Sequence, residues 1–368
     1  MQSSDETFMR LALSLAQMGK GQTSPNPMVG AVLVKDHQII GFGAHLQAGK
    51  PHAEVHALEM ASEEAQGSTL YVTLEPCAHY GKTPPCADAV IHSGVKRVVV
   101  AVEDPFSEVS GRGIARMREA GLQVDVGCLA PEAEQQNAAF LHYARTGLPF
   151  VTLKLAATLD GMIATDHGDS KYVTGDDARA LVHHLRDHAD AIVVGVKTVI
   201  ADNPQLTVRL PVGGKNPVRV ILDTHLSTPS DSNVLSPDAV TILFCGYEAS
   251  VYAEQKLVHQ GTQVVRVQAV DGKLDLVAVM RHLASQGHLH VLVEGGASVA
   301  GSCLQQRVVH EVWMFHAPKL LGKGRSAIEF PVAAQTMQDA ILLKDVTHKE
   351  IGGDWLTIGK PFYPGESL

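Results

Sequence analysis

Four residues in the first quarter of the chain have the types and order of a hydrolytic metal site. They are His52 and Glu54 in Pro51-His52-Ala53-Glu54, Cys77 in Thr73-Leu74-Glu75-Pro76-Cys77, and Cys86 in Pro84-Pro85-Cys86. One imidazole and two thiols are good zinc ligands, and three protein ligands leave a coordination position for water, as catalytic zinc sites do. Zinc lowers the pKa of bound water from about 15.7 towards 7. A carboxylate two residues after the His can sit beside that water without binding the metal. As a proton shuttle it would contribute roughly 10²- to 10⁴-fold.

His-x-Glu followed by Pro-Cys-x-x-Cys is the zinc deaminase signature. Here eight residues, not two, separate Cys77 from Cys86. The insert is polar, carries Gly and Pro, and reads as a loop. A structural zinc knuckle would need a fourth ligand; His79 or His56 could supply it, but Glu54 would then have no role. His52 and His56 also form a His-x-x-x-His pair. Metalloprotease helices carry their Glu at the second or fourth place of that pentad, and here it is third. Gly111-Arg112-Gly113 lacks the third glycine and the preceding strand of a dinucleotide loop. Val291 to Ser298, with Glu294-Gly295-Gly296 at its centre, reads as strand, Gly pair and helix start. That arrangement aims free N–H groups and a helix dipole at an anion, although a plain tight turn would look the same.

The elements that must hold these residues alternate between strand and helix. A capping box of Ser3 with Glu6 opens a helix with apolar residues at Phe8, Leu11, Leu15 and Met18. Strands are expected at 29–34 and 39–43, and a helix over 52–65 with His52 in its first turn. A buried strand is expected at 69–74, a helix at 87–93, a strand at 97–102, a helix at 113–120 and a short strand at 123–126. One helix is expected over 132–143. Arg145 to Pro149 breaks the pattern, which places a boundary near Gly147: one domain over 1–147 and another over 148–368. The second half reads as strands at 150–157, 191–196, 218–222, 240–244, 263–267, 290–293, 311–317 and 354–358. Helices are expected at 177–188, 274–285 and up to Gln305, with a polar loop at 202–209. Alternation of this kind implies α/β sheets with helices on their faces.

At 368 residues the chain suits two domains. It has no apolar run of the ~18 residues a membrane helix needs, and its first residues are acidic where a signal peptide is basic. Cys128, Cys245 and Cys303 sit among apolar neighbours and read as buried thiols. A reducing cytoplasm is the expected compartment. The net charge of −9 opposes nonspecific binding to nucleic acid or membrane.

The long Cys spacing, Ser24-Pro25-Asn26-Pro27-Met28-Val29-Gly30 and Ala48-Gly49-Lys50-Pro51-His52-Ala53-Glu54 together resemble the bifunctional deaminase/reductase family of riboflavin biosynthesis. The resemblance continues through Leu153 to Gly161, Ala201 to Arg209, Glu294-Gly295-Gly296 and Ala317 to Gly322. It implies a cytidine-deaminase-like α/β/α domain followed by a dihydrofolate-reductase-like α/β domain, with zinc in the first and NADPH in the second. It further implies a pyrimidine ribotide substrate and a homo-oligomer, a dimer or tetramer. Carried over position by position, His52, Cys77 and Cys86 hold the zinc and Glu54 shuttles protons. Asn26, His45, His79, Lys82 and Thr83 meet the deaminase substrate. Ala156, Tyr172, Thr198, Asp202, Gly296, Ala297, Ser298, Val299, Ala300, Gly301 and Ser302 face the cofactor. Ser170, Arg186, Leu206, Arg209 and Glu294 face the reductase substrate, both arginines suiting its phosphate. Tyr172 stands where relatives often have Trp. Phe106-Ser107 replaces the family's usual Asn-Pro, which puts any contact from that Asn in doubt. A nucleic-acid-editing deaminase shares the His-x-Glu and Pro-Cys elements, but the acidity, the Cys spacing and the second half speak against it. A zinc-bearing scaffold would have no use for Glu54.

Overall fold

The computed structural model describes residues 4–78, 85–106, 110–258, 261–270 and 272–365. His79, Lys82, Thr83, Ser107 and the Ser3 end of the expected capping box lie outside them. The chain forms two compact units, Met1–Gly147 and Leu148–Leu368.

In the first unit the order is α1 (Ser4–Ala16), β1 (Gly30–Lys35), β2 (Gln38–Ala44), α2 (Ala53–Ala61), β3 (Thr69–Leu74), α3 (Cys86–His92), β4 (Arg97–Val102), α4 (Arg112–Glu119), β5 (Gln123–Val126), α5 (Ala130–Gln136) and α6 (Ala138–Thr146). Their strands pair as β2-β1-β3-β4-β5. The β1 strand runs antiparallel to both its neighbours, whereas β3, β4 and β5 are parallel. Near-continuous apolar runs in β1, β3 and β4 are what strands buried on both faces require. Gly43 in β2 lets α2 lie close: a Cβ there would sit 2.3 Å from the Ala53 carbonyl oxygen. That contact sets the α2 N-terminus, and with it His52.

The second unit contains β6 (Phe150–Thr158), β7 (Met162–Thr165), α7 (Asp176–His188), β8 (Ala191–Gly195), α8 (Val196–Asp202), β9 (Val218–Leu222), β10 (Thr241–Gly246), α9 (Val251–Val258), β11 (Gln263–Val267), β12 (Ala269–Val270), β13 (Lys273–Leu274), α10 (Leu276–Ser285), β14 (His290–Val293), α11 (Ala297–Gln305), β15 (Glu311–Ala317), β16 (Gly324–Ser326), β17 (Leu342–Ile351) and β18 (Asp354–Phe362). The main sheet runs β11-β10-β9-β8-β14-β6-β15-β18-β17. It is parallel from β11 to β15, and β18 and β17 add an antiparallel edge. The carboxyl ends of β8 and β14 open onto Gly195 and Glu294, where parallel sheets place their ligands.

Several local expectations change. His52 is the N-cap of α2 with extended backbone, φ −77° and ψ 164°, rather than a first-turn residue. The expected helix over 132–143 is two helices broken at Asn137. Its side-chain amide leaves the helix to pair with Met28: Oδ1 accepts from Met28 N at 2.9 Å and Nδ2 donates to Met28 O at 2.8 Å. The α10 helix begins at Leu276, where Asp275 caps it by accepting from Ala278 N at 3.0 Å. The sequence reading also missed α8, α9, β7 and β17. Most positions of β17 are exposed, so it carries no apolar alternation.

Candidate active sites

In the first unit, His52 Nδ1 lies 3.1 Å from Cys86 Sγ and 3.8 Å from Cys77 Sγ. The three ligand atoms are all within 4.8 Å of one another. A tetrahedral zinc with Zn–N near 2.0 Å and Zn–S near 2.3 Å sets N and S about 3.5 Å apart. The two observed separations bracket that value, so the trio fits zinc. Cys86 opens α3, and its N–H donates to Cys77 Sγ at 3.3 Å. The hydrogen bond from Cys86 and the neighbouring His52 pull the Cys77 thiol down to about 4. The bond to Cys77 and burial push the Cys86 thiol up.

Glu54, in the first turn of α2, is 3% exposed, and among the described residues its Oε2 has no hydrogen-bond partner. Burial raises its carboxyl to about 7, against the opposing pull of His52. A buried carboxylate oxygen without a partner is costly, and it suits a group that meets water or substrate beside a metal.

Glu75, which the sequence reading quoted but gave no role, is the device that places Cys77. Its Oε1 accepts from the N–H groups of Gly113 and Ile114 at 2.8 and 3.1 Å, and its Oε2 from those of Asp104 and Gly111 at 3.1 and 3.0 Å. The carboxylate therefore binds the end of β3 to the N-terminus of α4, where negative charge is favoured. The approach is close: a Cβ at Gly113 would lie 2.0 Å from Pro76 O. The signal that could have revealed it was an acidic residue ending an otherwise apolar strand.

Asn26 and His45 form a fixed pair. Pro51 O can only accept, so His45 Nδ1 donates to it at 3.2 Å, and Nε2 then accepts from Asn26 Nδ2 at 3.2 Å. Burial lowers the His45 pKa, which keeps the ring neutral as this pattern requires. Phe106 is engaged in packing, its ring centroid 5.5 Å from that of Phe140 and 6.2 Å from that of Tyr143.

The second unit holds a cavity of about 980 Å³, lined by Ala156, Thr198, Asp202, Gly296, Ala297, Ser298, Val299 and Ser302 among others. That is at the upper end of the size of cofactor sites, and the N-terminus of α11 opens into it. A smaller cavity of about 220 Å³ is lined by His183, Arg186, Arg209 and others. The two share Lys154, Ala156, Ser170 and Glu294. Four residues carried over from the resemblance line neither. Ala300 is buried within α11, and Gly301 faces Glu329 O, which a Cβ would approach to 2.0 Å. Leu206 is buried. Tyr172 is 65% exposed, with the Arg179 guanidinium 4.2 Å from its ring centroid.

Where the cavities meet, Arg186 grips Glu294 in a fork, Nε to Oε1 at 2.7 Å and Nη2 to Oε2 at 3.0 Å, while Nη1 donates to Thr207 O at 3.2 Å. Lys154 Nζ stands 4.0 Å from Glu294 Oε2. Burial would raise the Glu294 carboxyl, but Arg186 and then Lys154 outweigh it and hold it ionised below its ordinary value. Burial draws the Lys154 ammonium down, and Glu294 resists. His183, which the sequence reading did not single out, is held low, to about 4, by burial and by Arg186 and Arg209.

Residues 149–357 match the RibD C-terminal domain, and residues 2–102 match the zinc-binding region of cytidine and deoxycytidylate deaminases. The chain is 50% identical to the riboflavin biosynthesis protein RibD of Bacillus amyloliquefaciens, over 86% of this chain and 85% of that one. The chain belongs to the RibD family. Acinetobacter baumannii RibD has the same fold throughout, with a TM-score of 0.87 at 38% identity over 98% of this chain and 99% of that one. So does the diaminohydroxyphosphoribosylaminopyrimidine deaminase/5-amino-6-(5-phosphoribosylamino)uracil reductase of Thermotoga maritima, with a TM-score of 0.85 at 37% identity over the same shares. The RibD match thus covers both units, and the His52, Cys77 and Cys86 trio falls inside the matched zinc-binding region.

Proposed function

We propose that the chain catalyses two consecutive steps of riboflavin biosynthesis. Residues 1–147 remove the 2-amino group of 2,5-diamino-6-(5-phosphoribosylamino)pyrimidin-4(3H)-one by hydrolysis. Residues 148–368 reduce the ribosyl group of the resulting 5-amino-6-(5-phosphoribosylamino)uracil to ribityl. The carrying observation is the pairing, in one chain of the RibD family, of a His/Cys/Cys trio beside the buried Glu54 carboxyl with a cofactor-sized cavity opening onto a charged pocket.

In the deaminase, His52, Cys77 and Cys86 would hold a zinc ion, which would supply a water activated at neutral pH. Glu54 is the proton carrier of the site: it accepts a proton from the attacking water, passes one to the ring nitrogen and delivers one to the departing ammonia. The Asn26 amide, held by His45, presents its carbonyl oxygen and remaining N–H to the ring edge. Lys82 offers a point charge to the ribotide phosphate, and His79 and Thr83 add polar contacts.

In the reductase, NADPH held in the larger cavity would supply the hydride for reduction of the sugar. The N–H groups at the start of α11 and the side chains of Thr198, Asp202, Ser298 and Ser302 bind the cofactor. Lys154 and Glu294, at the junction of the two cavities, face the sugar. Arg209 takes the phosphate, while Arg186 is committed to orienting Glu294. This reading places the enzyme in the cytoplasm as a dimer or tetramer acting on a free ribotide. Among the described residues no helix is long and apolar enough to cross a membrane.

The test is a coupled assay on the purified chain, supplied with the diaminopyrimidinone ribotide and followed for ammonia and for NADPH absorbance. Both signals are expected, ammonia first. Ammonia without NADPH oxidation would overturn the reductase assignment. Neither signal from zinc-loaded protein would overturn the substrate.

A further inference from the structure

The guanidinium of Arg219 is fully buried in β9, an interior strand of the main sheet. Among the described residues none of its hydrogen bonds goes to a carboxylate; the nearest charge acting on it, Asp238, is reached through Ser236, whose hydroxyl donates to Asp238 Oδ2 at 2.9 Å. Nη1 donates to Gln205 O at 3.4 Å, Asn233 O at 3.3 Å and Ser236 Oγ at 3.0 Å, and Nη2 donates to Ser236 O and Ala239 O. Nε has no partner. Burying a charge in this way costs far more than an apolar side chain of the same shape, so stability alone does not account for it.

What the guanidinium does is gather irregular backbone. Gln205 belongs to the loop between α8 and β9 that carries Thr207 and Arg209. That loop is anchored from both ends. Asn203, in left-handed conformation at φ 41°, accepts at Oδ1 from Asn233 N at 2.7 Å, and its carbonyl accepts from Asn233 Nδ2 at 2.8 Å. At the cavity end Thr207 O meets Arg186, and Arg209 N donates to His183 Nδ1 at 3.3 Å. Leu206, between the two anchors, also has positive φ, at 55°. A loop with two non-glycine residues in that region persists only where its surroundings over-determine it. Arg219 and Asn233 supply the anchors on the side away from the cavity.

We propose that Arg219 is a positioning residue for substrate capture by the reductase, holding this loop so that Arg209 faces the smaller cavity. The proposal rests on the reading that this cavity takes the phosphorylated sugar. Arg219 touches neither cavity and acts only through the loop.

The test compares full-length wild type, Arg219→Met, Arg219→Lys and Asn233→Ala. In Arg219→Met the KM for the aminouracil ribotide should rise about tenfold or more with kcat largely kept, the pattern of lost binding rather than lost chemistry. The KM for NADPH and the rate of ammonia release should not change, and Arg219→Lys should recover part of the loss. A general structural role would instead lower both activities together, or raise both reductase KM values equally, and either result overturns the proposal, as does an unchanged ribotide KM. If Arg219→Met does not fold, Asn233→Ala decides: it loosens the same loop from an exposed position, and an unchanged ribotide KM in it overturns the proposal. If wild type fails to oxidise NADPH with the ribotide, the functional reading falls. Calorimetric titration with ribose 5-phosphate then tests the loop alone: weaker binding to Arg219→Met supports the proposal, and equal or absent binding overturns it.

Discussion

Arg186 and Glu294 form a two-point ion pair where the two reductase cavities join. The sequence expectation gives Arg186 to the substrate phosphate; in the structure its guanidinium pairs with Glu294 and also lines the smaller cavity. Removing one partner of a buried pair strands the other charge at a cost of about 3–5 kcal/mol. Arg186→Met should therefore destabilise the C-terminal unit by about that amount and abolish NADPH oxidation, while ammonia release persists. Urea denaturation with both assays checks this; a stable variant that has lost only phosphate affinity would return Arg186 to the substrate.

Glu54→Gln should keep its zinc and lose ammonia release by roughly 10²-fold or more, whereas Cys77→Ala should lose the metal itself. Metal analysis alongside the ammonia assay separates the two outcomes. Stripping wild type with a chelator should stop deamination and leave the reduction of added aminouracil ribotide intact. A Glu54→Gln variant with wild-type ammonia release would remove the shuttle role.

His183 gives the C-terminal unit an acid-side weakness. Its folded-state pKa is lowered from 6.5 to about 4, so between those values the unfolded chain binds the extra proton. Stability is then full above pH 6.5 and is lost progressively as pH falls from 6.5 towards 4. Melting curves between pH 7.5 and 5 should show the slope, and His183→Gln should flatten it. An imidazole titration by NMR with a midpoint near 6.5 would leave the prediction without a basis.

Glu75 should control metal retention without touching the metal. A Gln side chain offers one acceptor oxygen where the carboxylate offers two, so Glu75→Gln leaves buried N–H groups facing an NH₂. Each unsatisfied group costs about 1–3 kcal/mol. The variant should release zinc at lower chelator concentration than wild type, and Glu75→Ala at lower still. Identical release from all three proteins would show that Cys77 is placed by other means.

The α/β class of both halves was legible because the strands that carry the sites are Val-rich runs buried on both faces, such as β4 and β8. The zinc trio was legible because its residue types are rare in combination. What escaped was whatever depends on long-range partners. Asn137 ends a helix only because Met28 is there to receive its amide. Glu75 looks like an ordinary acid until α4 arrives over it. Arg219 sits in local sequence that shows no sign of its burial, and His183 in local sequence that shows no sign of the cationic neighbours around it. The solvent-facing β17 strand lacks alternation because little of it packs against a core.

Among the described residues, one apolar cluster is built from residues 8 to 141 and the others from residues 148 to 358. In genetic terms the two activities are separable traits carried on one reading frame. A lesion that hollows one cluster should silence one step and spare the other. Two alleles broken in opposite halves should therefore restore riboflavin prototrophy when expressed in the same cell.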